Sequence, residues 1–349
     1  MRIAYIVPAL TQAGNVCVVK DLATVFMHHG HECVVYYFDY GENEYVFPCE
    51  TKHITFGEAI PFNDYDIVHT HSLRPDIYAF FKKPIRCRAK LVCTIHNYVF
   101  EDLISDYGRF KGYLAGLLWQ LCRIRNKRLL VLSKAHYKYY TKWFGRKKLR
   151  VAYNTRVLDK SKDISADDKR FFTDLHSKFK FICASICRVT GRKGLDQIVD
   201  ALPNIEKDIA YVVIGEGAGL QEIKDRAREN KVEDRVFFLG NREDGYRFMP
   251  YIDLFCIPSH SEGFPLAMLE AACYGKAILS SDLPVFKEVF DENEVVICRE
   301  NDIESVSKGI LKAMSNKEGY GQAAQKKFEK DYSPESFYEN HLKIYKELL

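Results

Sequence analysis

Leu254-Phe255-Cys256-Ile257-Pro258-Ser259-His260-Ser261-Glu262-Gly263-Phe264-Pro265-Leu266-Ala267-Met268-Leu269-Glu270-Ala271 is the stretch from which the rest of the chain can be read. Leu254–Ile257 is a short apolar run that reads as a strand. A polar loop follows, then a helix over Pro265–Tyr274 and a further strand at Ala277–Leu279. Strand, loop, helix and strand in that order form the unit of a parallel sheet, because parallel strands need a crossover connection. Gly263 is expected to let the loop turn tightly, and Pro265 suits the first turn of a helix.

The same alternation extends in both directions. Upstream in this half, strands are expected at Phe181–Ile186, Ala210–Ile214 and Arg235–Phe238, and downstream at Val295–Ile297. Helices at Leu195–Leu202, Leu220–Arg228 and Ile303–Met314 separate them. A polar stretch, Asp159–Asp168, precedes this series. Before it lies another series, with strands at Ile3–Val7, Cys33–Tyr37, Asp66–His69, Leu91–Ile95, Arg128–Leu132 and Leu149–Tyr153, and helices such as Asn15–His29 and Ser133–Trp143. The pattern predicts two doubly wound α/β domains that face each other across a cleft, divided near 155–175. Ser333-Pro334-Glu335 is a helix start: a capping hydroxyl, Pro at the first helical position and an acid behind it. That final helix, Ser333–Leu349, is followed by no strand and must dock on structure already built.

Composition narrows the function classes. The chain has 349 residues, enough for about two domains. Its net charge is +4, too balanced for a tail-type nucleic-acid binder. No run of 18 apolar residues is present, so no transmembrane helix is expected. Met1–Pro8 is too short an apolar run for a signal peptide and reads as the first strand. Eleven scattered cysteines without a C-x-x-C pair read as free thiols in a reducing cytosol. The charge is uneven. Residues 1–73 carry 3 basic and 9 acidic side chains, whereas 74–150 carry 19 basic and 4 acidic ones. Within that basic block, Tyr113–Cys122 is a helix-length apolar stretch, and Tyr137, Tyr139, Tyr140, Trp143 and Phe144 are interleaved with lysines. Such a block suits an anionic membrane surface or a polyanionic substrate, and equally a solvated basic face over ordinary helices.

Nicotinamide and P-loop enzymes lack support. The turn after the first strand, Pro8–Asn15, has no G-x-G-x-x-G, and no Walker A sequence occurs. Gly215-Glu216-Gly217-Ala218-Gly219 after a strand is a weak signal, since a tight turn needs glycines for steric reasons. The quoted stretch is stronger. A helix start with free N–H groups is a ready anion site; Glu262 lies just before the turn, and Glu270 about five residues into the helix, roughly 7.5 Å along its axis. Two carboxylates flanking an anion suit one extended polar ligand. They are also compatible with a cap-like Glu plus a surface Glu, or with a pair for glycoside hydrolysis. Ile186-Cys187-Arg188-Val189-Thr190-Gly191-Arg192-Lys193-Gly194 places Arg188 at a strand end and Lys193 at a helix start. A cation there opposes the helix dipole, and binding a diphosphate is a reason for it; two solvated loop cations are the plainer reading.

Taken together, these segments resemble a retaining family 4 glycosyltransferase of the GT-B fold. Glu262 to Glu270 match the family's E-x7-E, with Gly263-Phe264-Pro265 inside it. Arg188 and Lys193-Gly194 match its GR…KG segment, with Cys187 replacing the first glycine. Val212–Gly217, Val236–Gly240, Tyr274–Ile278, Cys93–Asn97 and Asp66–His71 match in order. The resemblance implies an N-terminal acceptor-binding domain over 1–155, completed by the crossover helix 333–349, and a donor-binding domain over 156–332. It implies that Arg188 and Lys193 neutralise the donor diphosphate in place of a metal, that Glu262 holds the donor sugar and that Glu270 holds the ribose. His96 then faces the reacting sugar, and Gly14, Gly215, Asn241, Gly263, Phe264, Pro265 and Leu266 border the donor. No cofactor or metal is expected. For His69 and His71, the H-x-H spacing favours a plain structural role over a metal.

The implied function is transfer of a hexose from a nucleotide diphosphate sugar, UDP-sugar favoured, to a glycan or lipid-linked glycan, with retention. Capsule, O-antigen or lipopolysaccharide assembly at the inner face of the cytoplasmic membrane fits that function, with peripheral contact through 74–150 and no nucleic-acid partner. A nucleotide-sugar epimerase of the same fold and a non-catalytic membrane-associated binding protein are the alternatives. Two departures from the family stand out: Asn15 replaces the acid of the first loop, and Leu283-Pro284-Val285 replace glycines before Glu288.

Overall fold

The computed structural model describes residues 1–349, apart from the side chains of Ser105 and Asp106. The chain forms two compact units, Met1–Val157 with Tyr332–Leu349, and Leu158–Asp331.

The first unit holds seven strands: β1 (Arg2–Ala9), β2 (Glu32–Asp39), β3 (Glu50–His53), β4 (Ile67–His71), β5 (Lys90–Ile95), β6 (Arg128–Val131) and β7 (Leu149–Val151). Their order in the sheet is β3-β2-β1-β4-β5-β6-β7, and every pairing is parallel. The second unit holds β8 (Phe181–Ile186), β9 (Ile209–Ile214), β10 (Val236–Gly240), β11 (Leu254–Ile257), β12 (Ala277–Ser281) and β13 (Val296–Cys298). Their order is β10-β9-β8-β11-β12-β13, again all parallel. Strands covered by helices on both faces are apolar throughout, as β9 (Ile-Ala-Tyr-Val-Val-Ile, all buried) illustrates. In each sheet the connections reverse direction once, between β1 and β4 and between β8 and β11, which is the doubly wound arrangement.

The final helix, Pro334–Lys346, begins as its sequence predicts: the Ser333 side chain accepts from Ser336 N–H, and Pro334 occupies the first turn. It packs on the first unit. Tyr338 stacks on His29 at 3.6 Å and meets Phe26 edge-on at 5.1 Å, while Tyr345 lies 5.3 Å from Phe26. All eleven cysteines are free thiols. No helix among the described residues is long and apolar enough to cross a membrane.

Candidate functional site

In the second unit the loops that carry the expected cations and Glu262 follow neighbouring strands where the strand order reverses. The loop after β8 carries Arg188 and Lys193, and the loop after the adjacent β11 carries Glu262. Lys193 Nζ is 2.5 Å from Glu262 Oε1, and Ser259 Oγ donates to the same oxygen at 3.0 Å. Glu262 Oε2 has no partner among the described residues. Arg188 is exposed and makes no ion pair among the described residues, so one cation of the two is already committed and the other is open.

The two loops are fastened to each other and to their neighbours through backbone groups of the β11 loop. His260 N–H donates to the Arg192 carbonyl at 2.8 Å. Gln197 Nε2 donates to the Pro258 carbonyl at 2.7 Å, and Gln197 Oε1 accepts from Asn301 N–H at 2.7 Å. Ser281 Oγ donates to the Ser259 carbonyl at 2.6 Å. Gly194 has φ +63°, and a Cβ there would overlap the Pro258 carbonyl oxygen. The close approach that sets the Lys193–Glu262 distance therefore requires glycine at 194. Gly263, the residue expected to make the tight turn, is not among those with positive φ. The sequence reading also missed Gln197 and Ser259; an interior Gln carries no motif, and its value lies only in the carbonyl opposite.

The helix after Glu262 also differs in detail. Pro265 is its cap rather than its first residue, and the helix runs Leu266–Cys273. With φ −85° and ψ 75°, Pro265 centres an inverse γ-turn in which Leu266 N–H donates to the Phe264 carbonyl at 3.0 Å. Leu266 N–H is thus engaged locally, and it becomes an anion donor only when that turn opens. Phe264 and Pro265 are buried, and Glu270 is half-buried in mid-helix. Gly215 has φ +136°, and a Cβ there would overlap the Cys187 carbonyl, so its missing side chain serves strand packing. Burial pushes the Cys187 thiol up to about 11, keeping it uncharged beside Lys193. Asn241 is exposed after Gly240, while Arg242 is held by Asp168 at 3.1 Å.

In the first unit the reversal point lies between β1 and β4. Gly14 is exposed and opens the helix Gly14–His28, and Asn15 Nδ2 donates to Ser72 Oγ at 2.7 Å. Asn15, in place of the family's acid, thus ties the β1 loop to the β4 loop. His96 follows β5, and its Nε2 shares a hydrogen bond of 2.9 Å with His71 Nδ1. His71 is fully buried, and its Nε2 has no partner among the described residues. His69 takes the structural role expected of it, bonded to Tyr345 Oη at 2.7 Å and to Thr94 Oγ1 at 2.8 Å. Burial, with Arg123 and His136 adding positive charge, pushes His96 down to about 3. His96 is therefore a neutral imidazole at ordinary pH. No group of three metal-binding side chains occurs among the described residues.

The basic block is partly consumed by structure. Arg123 is fully buried, 3.1 Å from Asp76 Oδ2 and 4.3 Å from the Trp119 ring. Arg125 Nη2 donates to the Lys83 carbonyl at 2.6 Å, and Arg128 and Arg150 share Glu347. These four arginines belong to the framework rather than to an open basic face.

The chain matches two family descriptions: Glycosyltransferase Family 4 over residues 14–159 and Glycosyl transferases group 1 over 167–330. It is 31% identical over 319 residues to the O-antigen biosynthesis glycosyltransferase WclY of Escherichia coli, covering 88% of this chain and 86% of that one. It is 23% identical over 269 residues to an E. coli UDP-Gal:alpha-D-GlcNAc-diphosphoundecaprenol alpha-1,3-galactosyltransferase, covering 72% and 67%. In fold it resembles Anabaena Alr3699/HepE, crystallised with UDP, at TM-score 0.81 and 16% identity over 99% of this chain and 100% of that one.

Proposed function

The chain belongs to the family 4, group 1 glycosyltransferases, and on that premise we propose that it moves a hexose from a UDP-sugar to a hydroxyl of a lipid-linked glycan, with retention, in O-antigen-type polysaccharide assembly. The observation that carries this reading is the Lys193–Glu262 pair at the carboxyl edge of the second sheet, with the unpaired Arg188 on the same loop as Lys193. A diphosphate placed there meets a forked guanidinium and an ammonium, which neutralise it as a leaving group without a metal. Taking Lys193 into that contact weakens its hold on Glu262. The carboxylate then accepts hydrogen bonds from hydroxyls of the donor sugar, with Oε2 available from the start. Glu270, on the helix that follows the Glu262 loop, takes the ribose.

The reacting acceptor oxygen attacks the anomeric carbon as the bond from that carbon to the diphosphate oxygen breaks. The acceptor proton passes to the departing diphosphate, so the products are glycoside and UDP. His96, neutral and bonded to His71, contributes a hydrogen bond rather than a charge. Names of relatives support the donor and acceptor classes: one specifies UDP-Gal and a diphosphoundecaprenol-linked sugar, another O-antigen biosynthesis. A lipid-linked acceptor puts the enzyme at the cytoplasmic membrane face, where cations of the 74–150 region contact anionic lipid.

Thermal unfolding with UDP, GDP, ADP or CMP, each with EDTA, tests the reading. UDP at 100 times its dissociation constant stabilises by about 2.7 kcal/mol. A shift with UDP that survives EDTA supports metal-free diphosphate binding. A shift abolished by EDTA removes the metal-free part, and no shift with any nucleotide returns the site to a structural role.

A further inference from the structure

The helix Arg109–Cys122 is folded inside out. Its apolar stripe, Phe110, Tyr113, Leu114, Leu117, Leu118 and Leu121, has the i, i+3, i+4, i+7 spacing that normally faces a core. In this protein the stripe faces solvent: Phe110 is 83% exposed, Leu118 56% and Leu114 51%. The opposite face is buried and carries Gly112, Gly116 and Trp119. The glycines let the helix lie against Val99–Tyr107: a Cβ at 112 would overlap the Leu103 carbonyl, and one at 116 would overlap the Phe100 ring. The small residues thus form the packing face, and the large apolar ones stay outside.

We infer that this outward face inserts, in the plane of the membrane, into an anionic lipid surface. A 14-residue helix is roughly 21 Å long, too short to span a bilayer core of about 30 Å. A large apolar face beside cations is the pattern of an interfacial helix. The charge around it selects the partner. Arg109 and Lys111 flank the stripe, and no Asp or Glu occurs in the sequence between Asp106 and Asp159. Trp143 stacks on Phe100 at 4.7 Å, and Phe100 lies 5.4 Å from Tyr113, which joins the stripe to the exposed Lys142, Arg146 and Lys147. An apolar patch edged by cations that form no ion pair among the described residues fits an anionic headgroup layer over acyl chains. The inference rests on the membrane-facing reading of the first unit and adds to it the element that inserts.

The experiment is co-sedimentation of the full chain with phosphatidylcholine vesicles, with and without phosphatidylglycerol. Three proteins are compared: wild type, the pair Leu114→Glu and Leu118→Glu, and the triple Lys142→Ser, Arg146→Ser, Lys147→Ser. All substituted residues are exposed, and an unchanged UDP-induced thermal shift shows that each variant retains its nucleotide site. The expected result is binding of wild type to anionic vesicles and a partition coefficient lower by at least tenfold in the double-Glu variant. Wild-type affinity in the double-Glu variant together with loss in the triple variant overturns the helix while keeping the basic membrane contact. Absence of wild-type binding, with a dimer that the double-Glu variant dissociates, overturns the inference in favour of self-association. Absence of both overturns the membrane reading altogether, whereas the UDP shift tests the transfer reading separately.

Discussion

The two units share one topology but handle charge in opposite ways. In Leu158–Asp331 the charged groups of the site stand on loops at the carboxyl edge, and the Lys193 and Glu262 side chains keep 19% and 10% of their exposure. In Met1–Val157 with Tyr332–Leu349 a cluster of charged and polar groups lies inside. Asp76 and Arg123 are buried together, with Trp119 Nε1 donating to Asp76 at 2.7 Å and Thr70 Oγ1 at 2.5 Å. His69, His71, His136 and His341 are buried as well, whereas the second unit's two histidines, His176 and His260, are not. A site that must grip and release a charged ligand gains from solvent-accessible ions that can exchange partners. A unit built on buried polar groups gains fixed geometry and becomes sensitive to anything that changes their protonation.

Acid is the largest expected perturbation. Burial pushes His136 and His341 down to about 4, against about 6.5 in an unfolded chain. His71 and His69 are shifted the same way. Because the folded value lies below the unfolded one, the unfolded chain takes up protons first as pH falls. Stability is intact above about pH 6.5 and is lost progressively toward pH 4. By pH 4.5 each of His136 and His341 costs about 2–3 kcal/mol, so the pair removes about 5 kcal/mol. Both tryptophans, Trp119 and Trp143, belong to the first unit, so their fluorescence follows it alone. Between pH 7.5 and 4.5 the fluorescence transition should fall in temperature well before the calorimetric transition of the second unit. Equal shifts in both would break the comparison.

Arg123→Leu comes next. It leaves Asp76 as a buried carboxylate without its counter-ion, which costs about 3–5 kcal/mol. Adding Asp76→Leu removes the stranded charge and should recover much of that loss, as read by the fluorescence midpoint in urea. In the second unit the effect is on turnover. Arg188→Ala and Lys193→Ala should each lower kcat by about 10²-fold, the loss expected when a preorganised anion donor is removed. The two should differ in stability. Arg188 is exposed and unpaired among the described residues, so its loss leaves the unfolding midpoint unchanged, while Lys193→Ala leaves Glu262 with only Ser259. Near-normal turnover in both variants removes the site assignment.

This contrast also explains what the sequence could and could not disclose. Strands buried on both faces announce themselves as apolar runs, so twelve of the thirteen strands were expected within a few residues of their observed positions. The exception is β3, whose Glu-Thr-Lys-His is a polar edge strand fixed only by pairing with β2. The helix Lys317–Lys327 was not expected either. It contains Gly319 and Gly321, poor helix formers, and Gly321 is required because a Cβ would overlap the Gly275 carbonyl. Charge type was legible, but burial was not: Arg123 reads in sequence like its neighbours, and only the position of Asp76 on another helix separates it from them. Periodicity misleads most at Arg109–Cys122, where the apolar stripe is clear and its direction is reversed. In the site, the residues with a charge to offer and the glycine of the GR…KG segment are legible, whereas Gln197 and Ser259 act through a carbonyl or carboxylate that no local pattern announces.

The smallest effect tests whether burial or geometry decides the worth of an ion pair. Arg226 and Asp200 form a bidentate pair, with both guanidinium contacts at 2.6 Å, and Asn230 Nδ2 donates to the same carboxylate at 2.8 Å. By geometry this pair is better than Arg123–Asp76, whose single ionic contact is 3.1 Å. By burial it is far weaker: the side chains are 39% and 13% exposed, against 1% and 0%. Solvent screens the pair, supplies partners when one member is removed and so limits what the contact contributes. Arg226→Ala should therefore cost about 1 kcal/mol or less, several-fold less than Arg123→Leu, when the calorimetric midpoint of the second unit is compared with the fluorescence midpoint of the first. A loss at Arg226 as large as that at Arg123 means that contact geometry outweighs desolvation, and that the two units differ less in how they use charge than their burial indicates.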